Sequence, residues 1–253
     1  MISKSRIKQI QGLHNARSRK EEQLFIAEGE KTVKELLEQL PSGIEEIFAT
    51  SEFLEKEGAL IRKSGVLFSE VKEDELSRIS TLKTANKVLA VCRYFDVKEK
   101  VGPNDTSISI FLDEIKDPGN FGTLIRLADW FGVAVVFCSH GSCDLYNSKV
   151  IQATMGAFIR VKVVYTDLSV VIKENNFKNV YGAVMNGANL YQENLGPGLL
   201  VIGNESTGIS SENLKLLTRS ITIPSHSSNG TESLNAAMAG AIILSEFFRK
   251  IKI

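Results

Sequence analysis

Asn120, Arg126, Glu205, Ser233 and Asn235 are the side chains best equipped for chemistry in this chain, and they fall in three short polar segments. The first reads Asp117-Pro118-Gly119-Asn120-Phe121-Gly122 and runs on to Arg126; the second is Gly203-Asn204-Glu205-Ser206-Thr207-Gly208; the third joins Ile223-Pro224 to Ser233-Leu234-Asn235. Amides, a carboxylate and a guanidinium can orient a ligand and stabilise developing charge, and glycine lets the backbone approach it closely. Each segment follows an apolar run that reads as a buried strand. All three are therefore expected at one rim of one sheet, where open α/β sheets bind ligands.

Taken singly, each segment also has a structural reading. Asn120 reads as the N-terminal cap of a helix carrying Leu124, Ile125, Ala128 and Phe131 and stopping at Gly132, with Arg126 bonded to a carboxylate. Gly203 and Gly208 have the spacing of a phosphate loop, but Ile209 and Ser210 follow where such a loop needs lysine and a hydroxyl residue. No Gly-x-Gly-x-x-Gly follows the strands, and no Gly-x-Ser-x-Gly supplies an esterase nucleophile. Capping alone would explain Thr231 or Ser233, although a helix opening there could also hold a carboxylate at its N-terminus. Only the conjunction of three such loops favours function.

The elements that must position them follow from periodicity. Up to residue 96 the chain alternates helical spacing (Ile7, Ile10, Leu13; Val33, Leu36, Leu37, Leu40; 73–79) with strands expected at 44–49, 65–68 and 88–93. This is a small α/β domain. Residues 97–107, polar and turn-rich, read as a linker. From 108 to 253, apolar runs at 108–112, 133–138, 161–164, 180–185, 199–202 and 221–223 alternate with helical or loop segments, the pattern of a mainly parallel sheet covered on both faces. A last helix from Ser233 to about Lys250 has an apolar stripe wide enough for burial on two sides, against the sheet and a second subunit.

Bulk properties narrow the partners. With 253 residues, 43% hydrophobic, the chain is globular, and no apolar run approaches the roughly 18 to 20 residues of a membrane span. The basic N-terminus lacks the apolar stretch of a secretory signal, so a cytoplasmic protein is expected. Three cysteines without a Cys-x-x-Cys pair and three scattered histidines argue against disulfides and a metal site. Net charge is zero, yet Lys4, Arg6, Lys8, Arg17, Arg19 and Lys20 crowd the first twenty residues without an acid. That cluster is either an RNA-binding patch, for which Lys8, Arg17, Arg19 and Lys20 are the candidates, or a solvated helix face.

In this order, the three segments closely resemble the signature motifs of the SpoU/TrmH family of RNA ribose 2′-O-methyltransferases, in the SPOUT superfamily. Ser148-Lys149-Val150 and Ala153-Thr154-Met155-Gly156-Ala157 are similar to another stretch of the family, and Ile7-Lys8, the stretch from Phe25 to Gly29 and Leu82-Lys83-Thr84 resemble its substrate-binding domain. The resemblance implies a SPOUT domain with a deep trefoil knot behind a ribosomal-protein-like domain, and a homodimer whose active site draws on both subunits. It implies S-adenosylmethionine held near Gly203, Asn204, Gly208, Ile223 and Leu234. Ribosomal RNA stands ahead of transfer RNA as the substrate, because a separate N-terminal domain is present.

Arg126 then lies nearest the chemistry. Because a free guanidinium holds its proton to above about pH 12, it is read as an electrostatic stabiliser rather than a base. Asn120 and Glu205 position Arg126 and the ribose; Ser233 and Asn235 shape the site. Two positions depart from the family pattern: Leu127 where threonine is usual, and Gln152 where arginine is frequent. The alternatives are a catalytically silent RNA-binding or ribosome-assembly protein of the same fold, and a methyltransferase directed at a base.

Overall fold

The computed structural model describes residues 2–95, 108–226 and 233–250. The linker expected at 97–107 and the loop from Ser227 to Thr231 lie outside the described residues. Those described fall into two compact units: residues up to Phe95 together with Asp144–Ile159, and Ile108 to Cys143 together with the chain from Arg160 on.

The first unit opens with two short helices. Ser3 caps α1 (Lys4–Gly12) by accepting from the Arg6 amide, and Asn15 caps α2 (Ala16–Glu22) through the Arg17 amide. Then come β1 (Leu24–Glu28), α3 (Glu30–Gln39), β2 (Ile44–Ala49), α4 (Ser51–Ser64), β3 (Phe68–Glu70), α5 (Glu73–Ile79) and β4 (Val88–Arg93). The sheet runs β1-β4-β2-β3, with β4 antiparallel to both neighbours and β2 parallel to β3. It is the small mixed α/β unit expected. β2, α5 and β4 occupy the expected ranges, whereas β3 begins at Phe68 rather than Gly65. Gly65 instead closes α4 in the left-handed conformation, φ +72°, which glycine adopts without steric cost.

The second unit contains β5 (Ile108–Asp113), α6 (Pro118–Trp130) and β6 (Val135–Cys138), after which the chain lends α7 (Ser148–Thr154) to the first unit. It continues with β7 (Lys162–Tyr165), α8 (Leu168–Asn175), β8 (Val180–Asn189), β9 (Gly198–Gly203), α9 (Ser211–Leu214), β10 (Arg219–Thr222) and α10 (Ala236–Lys250). The six strands lie in the order β10-β8-β9-β5-β6-β7 and every pairing is parallel. All six residues of β5 and five of the six in β9 are buried, the near-continuous apolar reading of strands covered on both faces. Phe111, Val180, Leu199 and Val201 pack with Leu168 and Val171 of α8. β8 runs four residues past its expected end, and the register of β10 against it shifts between Ser220 and Ile221.

α10 buries Ala237, Gly240, Ile243, Leu244 and Phe247. A Cβ on Gly240 would stand 2.6 Å from the Leu124 side chain, so the helix lies close on α6, and Phe131 stacks on Phe248 at 5.1 Å. Its other apolar side is uncovered: Met238 is 59% exposed and Ile242 half-buried. No helix among the described residues is long and apolar enough to cross a membrane.

The segment Asp144–Ile159 is integral to the first unit. Tyr146 stacks on Tyr94 at 3.8 Å, and Phe158 meets Phe25 edge-on at 6.0 Å. Burial, and then the Asp144 carboxylate, push the Tyr94 phenol up to about 12. Arg19, 3% exposed, donates to Asp144 at 2.6 Å and to the carbonyls of Leu13 and His14. A guanidinium closed off from solvent and committed to a carboxylate and two main-chain oxygens has the environment of a structural cation, unlike the exposed cations expected beside it in the RNA patch.

Candidate active site

Because the six strands are parallel, their carboxyl ends share one rim, and Asp113 at the end of β5 stands in register with Gly203 at the end of β9. The first polar segment follows β5. Asp117 caps α6 by accepting from the Asn120 amide at 2.8 Å, with Pro118 in the first turn, where its missing N–H costs nothing. This corrects the reading of Asn120 as the cap. Asn120 sits one turn inside the helix, so its side chain is released for other partners.

The second segment folds back on itself. Asn204 and Gly208 exchange main-chain hydrogen bonds at 3.0 and 2.9 Å, while the Asn204 Oδ1 accepts from the amides of Ser206 and Thr207. A Cβ on Gly203 would come within 2.3 Å of the Gly208 carbonyl carbon and the Ile209 nitrogen. Glycine is therefore needed at 203 for the loop's own return, a reason that sequence reasoning, which reserved the space for a ligand, missed.

In the third segment Asn235 caps α10, its Oδ1 accepting from the Ala237 and Met238 amides at 3.0 and 3.2 Å. That orientation aims Nδ2 at the Asn120 Oδ1, 2.8 Å away, and the Asn120 Nδ2 in turn donates to the Glu205 Oε1. One chain of side-chain hydrogen bonds, Asn235 to Asn120 to Glu205, thus joins the three segments.

Arg126 is not in that chain. It lies on α6 six residues beyond Asn120, which at 3.6 residues per turn places the two side chains about 120° apart around the helix. It is exposed, and among the described residues it has no hydrogen-bond or ion-pair partner. Ser233 is exposed beside Asn235, and Leu234 is 49% exposed. Ile223 is half-buried just past β10; Gly208, at φ +68°, has open space where a side chain would point. Asn204 spends its side chain on the loop: besides its two acceptor bonds, its Nδ2 donates to the Glu114 carbonyl at 2.9 Å.

Cys138, at the end of β6, is no candidate nucleophile, because burial pushes its thiol up, away from the thiolate form. Among the described residues no three His, Cys, Asp or Glu side chains cluster to hold a metal. In the first unit Lys8, Arg17 and Lys20 are exposed, with Arg17 paired to Glu21 at 2.8 Å on the surface. Beside them an open hollow of about 530 Å³ is lined by Gln11, His14, Asn15 and Arg17, among others.

Comparisons with known proteins agree with this architecture. Residues 107–245 match the SpoU rRNA methylase family, and residues 4–90 match an MRM3-like substrate binding domain. The chain is 28% identical over 243 residues to the 23S rRNA (guanosine(2553)-2′-O)-methyltransferase RlmP of Bacillus subtilis, covering 94% of each protein. A solved structure of a TrmH-family protein from Porphyromonas gingivalis is 34% identical, with a TM-score of 0.81 over 98% of this chain and 99% of that one. The AdoMet-bound rRNA methyltransferase of Sinorhizobium meliloti, at 24% identity, shares the fold, with a TM-score of 0.83 over 98% and 96% of the two chains. With more than half its length matched by the family model, and a fold that brings three polar loops to the rim of one parallel sheet, this chain belongs to the SpoU rRNA methylase family.

Proposed function

We propose that the chain transfers a methyl group from S-adenosylmethionine to a ribose 2′-hydroxyl of ribosomal RNA in the cytoplasm. The observation that carries this reading is the hydrogen-bond chain Asn235–Asn120–Glu205, which ties together the segments that resemble the family's three motifs. The Bacillus relative, named for 2′-O-methylation of 23S rRNA and matched over almost its whole length, supports the acceptor class.

The residues present fit the cofactor. Leu234 and Ile223 offer apolar surface at the rim, and Gly203 and Gly208 bracket a loop whose interior is closed but whose Gly208 side is open. When bound, S-adenosylmethionine supplies a methyl group on a sulfonium, already activated for displacement. The protein's task is to align the hydroxyl and lower the cost of the alkoxide that forms as its proton leaves. Asn120 and Glu205 orient the ribose, Asn235 fixes Asn120, Ser233 shapes the entrance, and Arg126 neutralises the developing negative charge. The proton passes to water or a substrate phosphate. Lys8, Arg17 and Lys20 hold the RNA backbone.

The active unit is a homodimer in this reading. Arg126 turns away from the Asn120–Glu205 pair on its own helix, which a second protomer's site would explain. The uncovered side of α10 supports it: Tyr191 and Met238 are exposed, and a hollow of about 320 Å³ is lined by Tyr191, Ala241, Ile242, Ser245 and Glu246. The knotted path of the chain implied by the resemblance belongs to the same proposal.

Incubation with methyl-labelled S-adenosylmethionine and ribosomal RNA from cells lacking the protein tests the reading. Label is expected in an alkali-resistant dinucleotide, because a 2′-O-methyl group blocks cleavage at its phosphodiester. Label released on a free base would make it a base methyltransferase, and RNA binding without label a silent binding protein.

A further inference from the structure

Two contacts behind the rim hold the loop that carries Glu205, and the mechanism above uses neither. Asp113, the last residue of β5, is 2% exposed, and its Oδ2 accepts from the Ser210 amide at 2.8 Å. A carboxylate buried to this degree is costly unless it is hydrogen-bonded, so its place is tightly defined. Glu114 follows in the left-handed conformation, φ +54°, which is uncommon for a residue with a side chain. That twist leaves both of its main-chain groups held from other loops: its N–H donates to the Ser139 Oγ at 2.8 Å, and its carbonyl accepts from the Asn204 Nδ2 at 2.9 Å. The two bonds grip residues 204 and 210. The five residues between them include Glu205, whose carboxylate meets Asn120.

We propose that Asp113 is a positioning residue for methyl transfer: together with the Glu114 carbonyl it clamps the 204–210 loop at both ends and so sets Glu205 against Asn120. The inference rests on the methyltransferase reading and deepens it. The clamp acts through the loop and touches no substrate. Its effect should be felt where alignment matters, in the rate of the chemical step, since a displacement of about 1 Å in a reacting group can cost about a hundredfold.

The test is single-turnover transfer of labelled methyl to ribosomal RNA by the full chain. Four proteins are compared: wild type, Asp113→Ala, Glu205→Ala and the double variant. Asp113→Ala is expected to lower the rate roughly 10- to 100-fold. Asp113→Asn, which keeps an acceptor, should recover most of that loss. In the Glu205→Ala background, removal of Asp113 should cost little more, because residues acting as one unit are non-additive. A merely structural role would instead multiply the two losses, and that outcome overturns the proposal, as does an Asp113→Ala rate within twofold of wild type. Ser210→Pro removes the same bond from the other side, at a φ of −58° that proline accepts. It should reproduce the Asp113→Ala defect if that variant is unstable. Loss of the folded state in both variants assigns the bond to stability and also overturns the proposal. Failure of the wild type to transfer label is a separate result, which removes the methyltransferase reading itself.

Discussion

The helices α1 and α2 and the carboxyl rim of the parallel sheet both carry arginines that a sequence reader would hand to RNA, yet the structure treats them in opposite ways. Arg19 is buried and donates to Asp144, Leu13 and His14. Arg126 is exposed and has no hydrogen-bond or ion-pair partner among the described residues. Partner saturation is what separates a structural cation from one available to a ligand. A buried guanidinium must be paired because its desolvation is costly, whereas an exposed one costs the fold little and can be kept for another charge.

The contrast breaks most sharply at Arg126. Arg126→Ala is expected to lower methyl transfer at least about a hundredfold, the scale on which loss of one transition-state donor is felt. Thermal stability and cofactor affinity should barely change, since surface substitutions without a partner usually fall within about 0.5 kcal/mol. If the site is shared between protomers, mixing Arg126→Ala with Glu205→Ala chains should restore part of the activity, in hybrid dimers with one intact site. A parallel loss of cofactor binding in Arg126→Ala would place the residue in the pocket wall and erase its difference from Arg19.

Arg19 should fail in the opposite sense. Arg19→Met keeps the apolar stem but strands Asp144, whose side chain is 36% exposed and so partly solvated. The expected cost is about 2–3 kcal/mol, below the 3–5 of a fully buried pair. It would be read as a lower urea midpoint at unchanged slope. Salt dependence of RNA binding by the folded fraction should stay as in wild type. A reduced salt slope at unchanged stability would return Arg19 to the RNA surface.

These two residues also mark what the sequence could reveal. The central strands of the parallel sheet were legible because buried parallel strands are short unbroken apolar runs, as in Ile108–Asp113 and Gly198–Gly203, whereas the edge strand Arg219–Thr222, half exposed, overlaps its expected run only at Ile221 and Thr222. The convergence of Asn120, Glu205 and Asn235 was legible because each follows such a strand or opens a helix at the same rim. Arg19 was not legible. Its partner Asp144 is 125 residues away, in a segment that reads as part of the second unit and packs with the first. The cap at Asp117 and the loop return that makes Gly203 necessary are local, but which side chain turns back onto the helix amides and how tightly the loop closes are matters of backbone conformation that residue types alone leave open. β1 is too short to show a period of its own and is held by tertiary packing: Leu24 and Ile26 share a core with Ile10, Leu76 and Leu89.

The remaining cations of the first unit give the smallest effect and the finest resolution. Lys8, Arg17 and Lys20 are exposed, and the one ion pair among them, Arg17–Glu21, spans i to i+4 with both side chains mostly in solvent. Such a pair is worth only about 0.3–0.5 kcal/mol, so replacing all three by alanine should leave the unfolding midpoint almost in place. RNA affinity should respond differently. Each phosphate contact releases counterions and contributes about 0.7 to 0.9 to the slope of log affinity against log salt, so three lost contacts should flatten that slope by roughly 2 to 3. A measured slope equal to wild type would make these residues the solvated face of a helix pair. The first unit would then bind RNA, if it does, through a surface other than the one its charge pattern advertises.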